Sequence, residues 1–192
     1  MNPCHWVHGL PRHGLGLMDV IEGFALRVFV TGYNCSGKTL AAKMLAREFE
    51  IPLTSLDSLY FTDEVTELKR DEAERDRLLE QQAGLSSWVI EGRFLSWTEV
   101  VRERADLIIY MCPLRVRMLW RLVLRFFRQR PREPIRNLFE YSLSILNHKR
   151  NWCPMFETAA SNMESKVRRV KSSEEAVRVV REGLEREASA EV

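Results

Sequence analysis

Apolar positions along this chain fall into short continuous runs separated by stretches of helical period. Leu26-Arg27-Val28-Phe29-Val30-Thr31, Ile51-Pro52-Leu53-Thr54-Ser55-Leu56, Ser87-Trp88-Val89-Ile90 and Leu107-Ile108-Ile109-Tyr110-Met111-Cys112 read as strands. The last of these is continuously apolar, as a parallel strand buried on both faces must be. Lys166-Val167-Arg168-Arg169-Val170 is more polar and reads as a final edge strand. Between the runs the period changes. Thr39 to Phe49 carries Leu40, Met44 and Leu45 at helical spacing among good helix formers. Glu64 to Gln82 predicts a charged helix with only Val65, Leu68, Leu78 and Leu79 as apolar positions. Such a helix is a solvated face, or the wall over a second substrate. Ser96-Trp97-Thr98-Glu99 has the form of a capping box opening a helix to about Arg104. Ile135 to Lys149 is amphipathic through Leu138, Phe139, Leu143 and Leu146, and Asn151-Trp152-Cys153-Pro154 breaks it before a short helix to Met163. Ser173-Glu174-Glu175 caps a closing helix with Ala176, Val179, Val180 and Leu184 inward. Strands alternating with helices predict βαβ units and hence an α/β fold around a parallel sheet. No internal repeat is visible.

Between the first strand and the first helix stands Gly32-Tyr33-Asn34-Cys35-Ser36-Gly37-Lys38-Thr39, which fits the phosphate-loop pattern G-x-x-x-x-G-K-[ST]. Strand, glycine-bounded loop and helix form the context that this pattern needs. The loop presents backbone N–H groups to an anion, and the helix N-terminus adds about half a positive charge. Lys38 is expected to reach the β- and γ-phosphates of a nucleotide, and the Thr39 hydroxyl to ligate Mg²⁺. The loop interior has no third glycine. Cys35 there is either a thiol activated by the helix N-terminus or simply a small residue that fits.

Two carboxylates fall at the ends of strands, where parallel α/β sheets open their ligand crevice. Asp57 follows the second strand and is either aimed at the phosphate site or an N-cap for the next turn. Glu91 ends Trp88-Val89-Ile90 and stands where phosphate-loop enzymes place the acid that organises Mg²⁺ or its water. Arginines dominate the next segment. Arg115, Arg117, Arg121, Arg125, Arg128, Arg130, Arg132 and Arg136 face a single acid, Glu133. Arg117, Arg121, Arg125 and Arg128 recur at three- and four-residue intervals and share a helical face, with Leu119, Leu122, Val123 and Phe126 on another. Arginine favours bidentate contact with phosphate, so the expected counterpart is an anion: the nucleotide's own phosphates, or a nucleic-acid backbone. A plain solvated basic face is the remaining alternative. Pro131 and Pro134 bracket a turn that would hinge a lid spanning about residues 115–136.

Composition adds bounds. The chain has 192 residues, 45% apolar and 29% charged, enough for one core rather than two, and its net charge of +2 names no partner. Cys4, Cys35, Cys112 and Cys153 are scattered without metal-ligand spacing, which reads as reduced thiols in a cytoplasmic protein. No run is long enough for a membrane span, so no membrane partner is expected. Residues 1–23 hold His5, His8, His13 and Cys4 among glycines and prolines and read as a flexible leader rather than a metal site; residues 24–192 then form the domain.

The order assembled here resembles the adenylate kinase branch of phosphate-loop kinases, and is most similar to the adenylate-kinase-related DNA topology modulation protein family. Gly32 to Thr39, Leu56-Asp57, Trp88 to Gly92, Arg104 to Tyr110 with Pro113, the Trp120-Arg121 helix and Val170-Lys171-Ser172 carry the resemblance. It implies a P-loop NTPase fold: a three-layer sandwich with a five-stranded parallel sheet of order 2-3-1-4-5 and a helical, arginine-bearing lid. It also implies that Lys171 and Ser172 lie beside the adenine. Three positions depart from the family pattern: Glu91 replaces the usual aspartate, Arg93 a frequent asparagine, and Leu95 the acceptor-binding arginine of adenylate kinases. The expected activity is transfer of the γ-phosphoryl of ATP, with Mg²⁺, to a small acceptor, with nucleotides among the candidates. Lys38 would hold the donor, Thr39 and Glu91 the metal side, Asp57 the acceptor, and Arg121 and Arg125 the transferring group. The alternative is a nucleotide-gated regulator whose arginine helix contacts nucleic acid or a protein.

Overall fold

The computed structural model describes residues 25–63, 68–93, 95–129, 135–147 and 161–190. The expected leader, the hinge after Gln129 and the break at Asn151–Pro154 lie outside the described residues. Five strands form one parallel sheet: β1 Arg27–Gly32, β2 Leu53–Ser55, β3 Trp88–Gly92, β4 Leu107–Met111 and β5 Val167–Val170. Their spatial order is β2-β3-β1-β4-β5, the expected 2-3-1-4-5. The register sets Thr31 beside Gly92 and Gly32 beside Met111, so the strands' carboxyl ends converge where the chain leaves β1.

The helices are α1 Lys38–Glu48, α2 Leu56–Tyr60, α3 Glu72–Ala83, α4 Glu99–Arg104, α5 Arg115–Gln129, α6 Ile135–Leu146 and α7 Ser173–Ala190. Alternation along β1 sends successive side chains to opposite faces. Val28 and Val30 pack with Ala41 and Leu45 of α1, with Phe49 at its C-cap, and with Ala176, Val180 and Leu184 of α7. Phe29 packs on the other face with Leu56, Leu79 and Val101 of α2, α3 and α4. Helix, sheet and helix make the three layers. A third, smaller cluster joins Tyr33 of the loop to Met118 and Leu122 of α5 and Ile145 of α6, which seats the α5–α6 hairpin over the loop.

Several elements differ from the sequence-based expectation. β2 stops at Ser55, because Leu56 turns into α2 and buries against β3 rather than extending the strand. The charged helix begins at Glu72, not Glu64: the Asp71 side chain accepts hydrogen bonds from the amides of Ala73 and Glu74 and starts the helix there. Part of the preceding stretch forms a two-stranded ribbon, Phe61–Asp63 with Leu68–Lys69, that polar composition hid. At Ser96–Thr98 the chain makes a 3₁₀ turn, in which the Thr98 hydroxyl donates to the Leu95 carbonyl and accepts from the Leu95 amide. The cap of α7 belongs to Ser172. Its hydroxyl accepts from the Glu175 amide, and the Glu175 carboxylate accepts from the Lys171 amide, so the cap stands one residue earlier than expected.

Candidate nucleotide site

Gly32 ends β1 with φ 152°, and a Cβ there would stand 2.8 Å from the Ser36 hydroxyl and 2.9 Å from the Met111 carbonyl. Only glycine lets the loop fold back so tightly. The Ser36 amide donates to the Tyr33 carbonyl at 3.1 Å and closes the turn. Gly37, at φ 95° in the left-handed region, then precedes α1. Helix α1 begins at Lys38, so the amides of its first turn have no intrahelical acceptor and remain for a ligand. Cys35 takes the left-handed conformation at φ 59°, a strained geometry for a side chain with a Cβ, and is not in a disulfide.

Opposite the loop stands α5. The Arg121 guanidinium donates to the Ser36 carbonyl at 2.6 Å and covers Gly37 so closely that a Cβ on Gly37 would meet it at 2.5 Å. Arg121, Leu124 and Arg125 face Cys35, Gly37, Lys38 and Thr39 across a cavity of about 420 Å³. Three cations and a helix N-terminus around one cavity make an anion site. Of the four arginines expected on one helical face, Arg121 and Arg125 are thus brought to the loop. Arg117, with Arg121, acts instead on Glu174 at the start of α7: its own backbone amide and the Ser172 hydroxyl, then these arginines, hold the Glu174 carboxyl below its ordinary range. The side chain of Arg128 lies outside the described residues.

On the far side of Lys38 is the acid of β3. Glu91 is 4% exposed. Its Oε1 accepts from the Ser55 hydroxyl at 3.0 Å and from the Thr39 hydroxyl at 3.3 Å. Its Oε2 is buried with no hydrogen-bond partner among the described residues. Burial pushes the Glu91 carboxyl above its ordinary range; the charge of Lys38 and the two hydroxyls oppose the rise, and Asp57 adds to it. Asp57 is close enough to be felt by Glu91, but it is exposed and sits in the first turn of α2 rather than at a strand end. It is not the cap of that turn: the N-cap position is Ser55, two residues earlier. Gly92 lets this turn approach, since a Cβ on it would come within 2.6 Å of the Leu56 Cβ. Ser55, which sequence reading passed over, is the residue that ties β2 to Glu91. Its signal was slight: one small hydroxyl at the carboxyl end of a strand.

Oxygen donors alone make up the Thr39–Glu91–Ser55 cluster, a hard set that suits Mg²⁺, and the orphaned Glu91 Oε2 supplies an unused anionic oxygen. Lys171 and Ser172 follow β5, whose Val170 carbonyl accepts from the Cys112 amide, so they stand at the same carboxyl edge of the sheet, two strands from the loop. A further group gathers around Tyr33. Burial raises its phenol, the charge of Arg93 lowers it, and Tyr141 of α6 raises it.

No protein-family model matches the chain, and no curated protein matches it in sequence. Solved structures do match in shape. Shikimate kinase from Bacteroides thetaiotaomicron aligns with a TM-score of 0.54 at 20% identity, covering 83% of this chain and 98% of that one. Shikimate kinase from Acinetobacter baumannii, solved in complex with shikimate, aligns with a TM-score of 0.56 at 15% identity, covering 89% and 98%. A gluconokinase from Sinorhizobium meliloti 1021 gives 0.52 at 18% identity, covering 86% and 95%. At such identities the likeness is one of fold: this chain shares with those kinases an α/β sandwich around a five-stranded parallel sheet.

Proposed function

We propose that the chain is an ATP-dependent phosphotransferase that moves the γ-phosphoryl group to a small acceptor. The observation that carries the reading is the Arg121 guanidinium held against the phosphate loop, with Arg125, Lys38 and Thr39 around the same cavity. A nucleotide's polyphosphate suits a cavity lined by three cations and the start of a helix. The arginines that face the loop are the ones an exposed nucleic-acid surface would need, so the nucleotide is the better counterpart. The kinase names of the structural neighbours agree with this.

In this reading Lys38 and the first amides of α1 hold the β- and γ-phosphates. Thr39 and Glu91, with Ser55 fixing the carboxylate, would hold Mg²⁺, which supplies neutralisation of phosphate charge when bound. Asp57 orients the acceptor or takes its proton from the exposed side of the crevice. Arg121 and Arg125 follow the charge that develops on the transferred group, the place where preorganised cations contribute most. Such catalysis is positioning plus electrostatics, and it needs water kept out, which the α5–α6 hairpin above the loop serves. Lys171 and Ser172 flank the base. Nucleotides are the first acceptor class to test, because the adenylate-kinase-like sequence motifs imply them. Cys35 and Cys112, neither in a disulfide, suit the reducing cytoplasm.

A panel of nucleosides, nucleotides and small hydroxylated metabolites, assayed for ATP-dependent ADP release and for phosphate gained by mass, tests the proposal. At least one acceptor should raise ADP release above the basal rate. Binding of ATP without transfer to any acceptor, alongside salt-steep DNA binding that needs Arg121 and Arg125, would replace it with the regulator.

A further inference from the structure

A second cavity, of about 360 Å³, opens at the amino ends of the strands, across the sheet from the phosphate loop. Leu26, just ahead of β1, and Leu107, the first residue of β4, floor it with Val180 and Leu184 of α7. None of its lining residues borders the nucleotide cavity. Small-molecule sites span about 300–1,000 Å³ and combine an apolar floor with a few polar groups, as this one does. Gly183 stands within α7 and lines the same cavity. A Cβ there would meet nothing within 4 Å, so packing does not require a glycine. Glycine weakens a helix interior relative to alanine. What it leaves at this place is an open wall.

The charges lining the cavity are unequal. Glu182 pairs with Arg186 at 3.4 Å and with Arg178 at 4.0 Å, and the Asp106 carboxylate accepts from the Arg27 amide at 2.9 Å. Lys166 and Arg168 have no carboxylate within ion-pair distance among the described residues. Main-chain carbonyls fix them instead. Lys166 Nζ donates to Glu103 and Ala105 at 3.0 and 2.9 Å. Arg168 Nη1 donates to Ser165 and Val167 at 2.7 and 3.0 Å. One ammonium proton and the Nε and Nη2 protons of the guanidinium remain for a ligand. We propose that this groove binds a small amphipathic anion: a carboxylate or phosphate head on Lys166 and Arg168, and an apolar tail along Leu107 and Leu184 beside Gly183. A second copy of the chain fits less well, since a two-fold contact would set the same unpaired cations against each other. The inference is independent of phosphotransfer and survives or falls separately from it.

Calorimetric titration of the full chain with decanoate and with decyl phosphate, both below their micellar concentrations, tests it. Decanol and inorganic phosphate serve as controls for the tail and the head alone. At least one amphiphile should give saturable heat, and the tighter of the two names the head group. Each control should bind at least about tenfold more weakly, the worth of a hydrogen bond to a charged group. Arg168→Gln should weaken the amphiphile by a similar factor. Gly183→Leu sets a side chain in the cavity and should abolish binding, yet melt at or above the wild-type temperature, because leucine is the better helix former. Gly183→Ala should also melt higher and still bind. Four results would overturn the proposal: no saturable heat from either amphiphile, equal binding of decanol, undiminished binding by Gly183→Leu or Arg168→Gln, or a dimer in size-exclusion chromatography that Gly183→Leu abolishes. The last would assign the groove to a second copy.

Discussion

Replacing Gly92 by alanine puts the packing between β3 and α2 to the test, and with it the joint that holds Ser55 and Asp57 near Glu91. The new Cβ would stand 2.6 Å from the Leu56 Cβ, 2.7 Å from its Cδ1 and 2.8 Å from its Cγ. Carbon atoms prefer about 3.5–4.0 Å, so three contacts are short by roughly an ångström. Leu56 is 1% exposed and cannot swing into solvent. Overpacking of this kind costs about 1–3 kcal/mol. In a chain of this size each kcal/mol lowers Tm by about 2–4 °C, so a fall of roughly 2–12 °C is expected by circular dichroism or calorimetry. Leu56 is flanked by Ser55 and Asp57, so its displacement should also lower turnover and raise the KM for the acceptor. A double-mutant cycle makes the test specific. Leu56→Gly removes all three clashing carbons, so Gly92→Ala should cost at least about 1 kcal/mol less in that background. A Gly92→Ala chain that melts at the wild-type temperature, or pays the same cost in both backgrounds, would refute this packing argument.

Glu91→Gln should stabilise the fold and weaken its metal side together. Burial holds the folded carboxyl above its ordinary range, so its contribution to stability is complete below that range and is lost as pH rises through the raised value. The variant escapes this loss: its Tm relative to wild type should climb as pH rises above the ordinary carboxylate range, while Mg²⁺-dependent ATP affinity falls. A difference in Tm that is flat with pH would contradict the sign. For Arg121→Ala, steady-state kinetics should show kcat reduced by about a hundred- to a thousandfold, with ATP affinity changed much less. An effect confined to KM would make Arg121 a binding group only.

The sheet was legible wherever apolar side chains ran together, because a strand buried on both faces has no polar positions to confuse it. Val28–Val30, Val89-Ile90 and Leu107–Met111 are such strands. The phosphate loop was legible because two glycines meet real steric demands, at Met111 and at Arg121. Glu91 was legible as an acid ending an apolar run. β2 was legible as a strand but its end was not, since its three edge residues leave little pattern and the next residue, Leu56, is buried by a helix instead. Nor was the ribbon at Phe61–Lys69, whose polar residues resemble those of the helix that follows. Helical spacing showed that Arg117, Arg121 and Arg125 are neighbours. It could not show that Arg121 and Arg125 meet the loop while Arg117 does not line its cavity, because that depends on how α5 is seated by Tyr33, Met118 and Leu122.

The claim beneath all of this is that the cavity bounded by Gly37, Lys38, Thr39, Arg121 and Arg125 holds a nucleotide triphosphate with its metal. Calorimetric titration of the folded full chain with ATP, with and without Mg²⁺, and of the Lys38→Ala variant alongside it, measures this directly. The account predicts saturable, Mg²⁺-dependent heat from the wild type and its loss in a variant that still melts cooperatively. Absence of heat from folded wild type, or undiminished binding by Lys38→Ala, would contradict it.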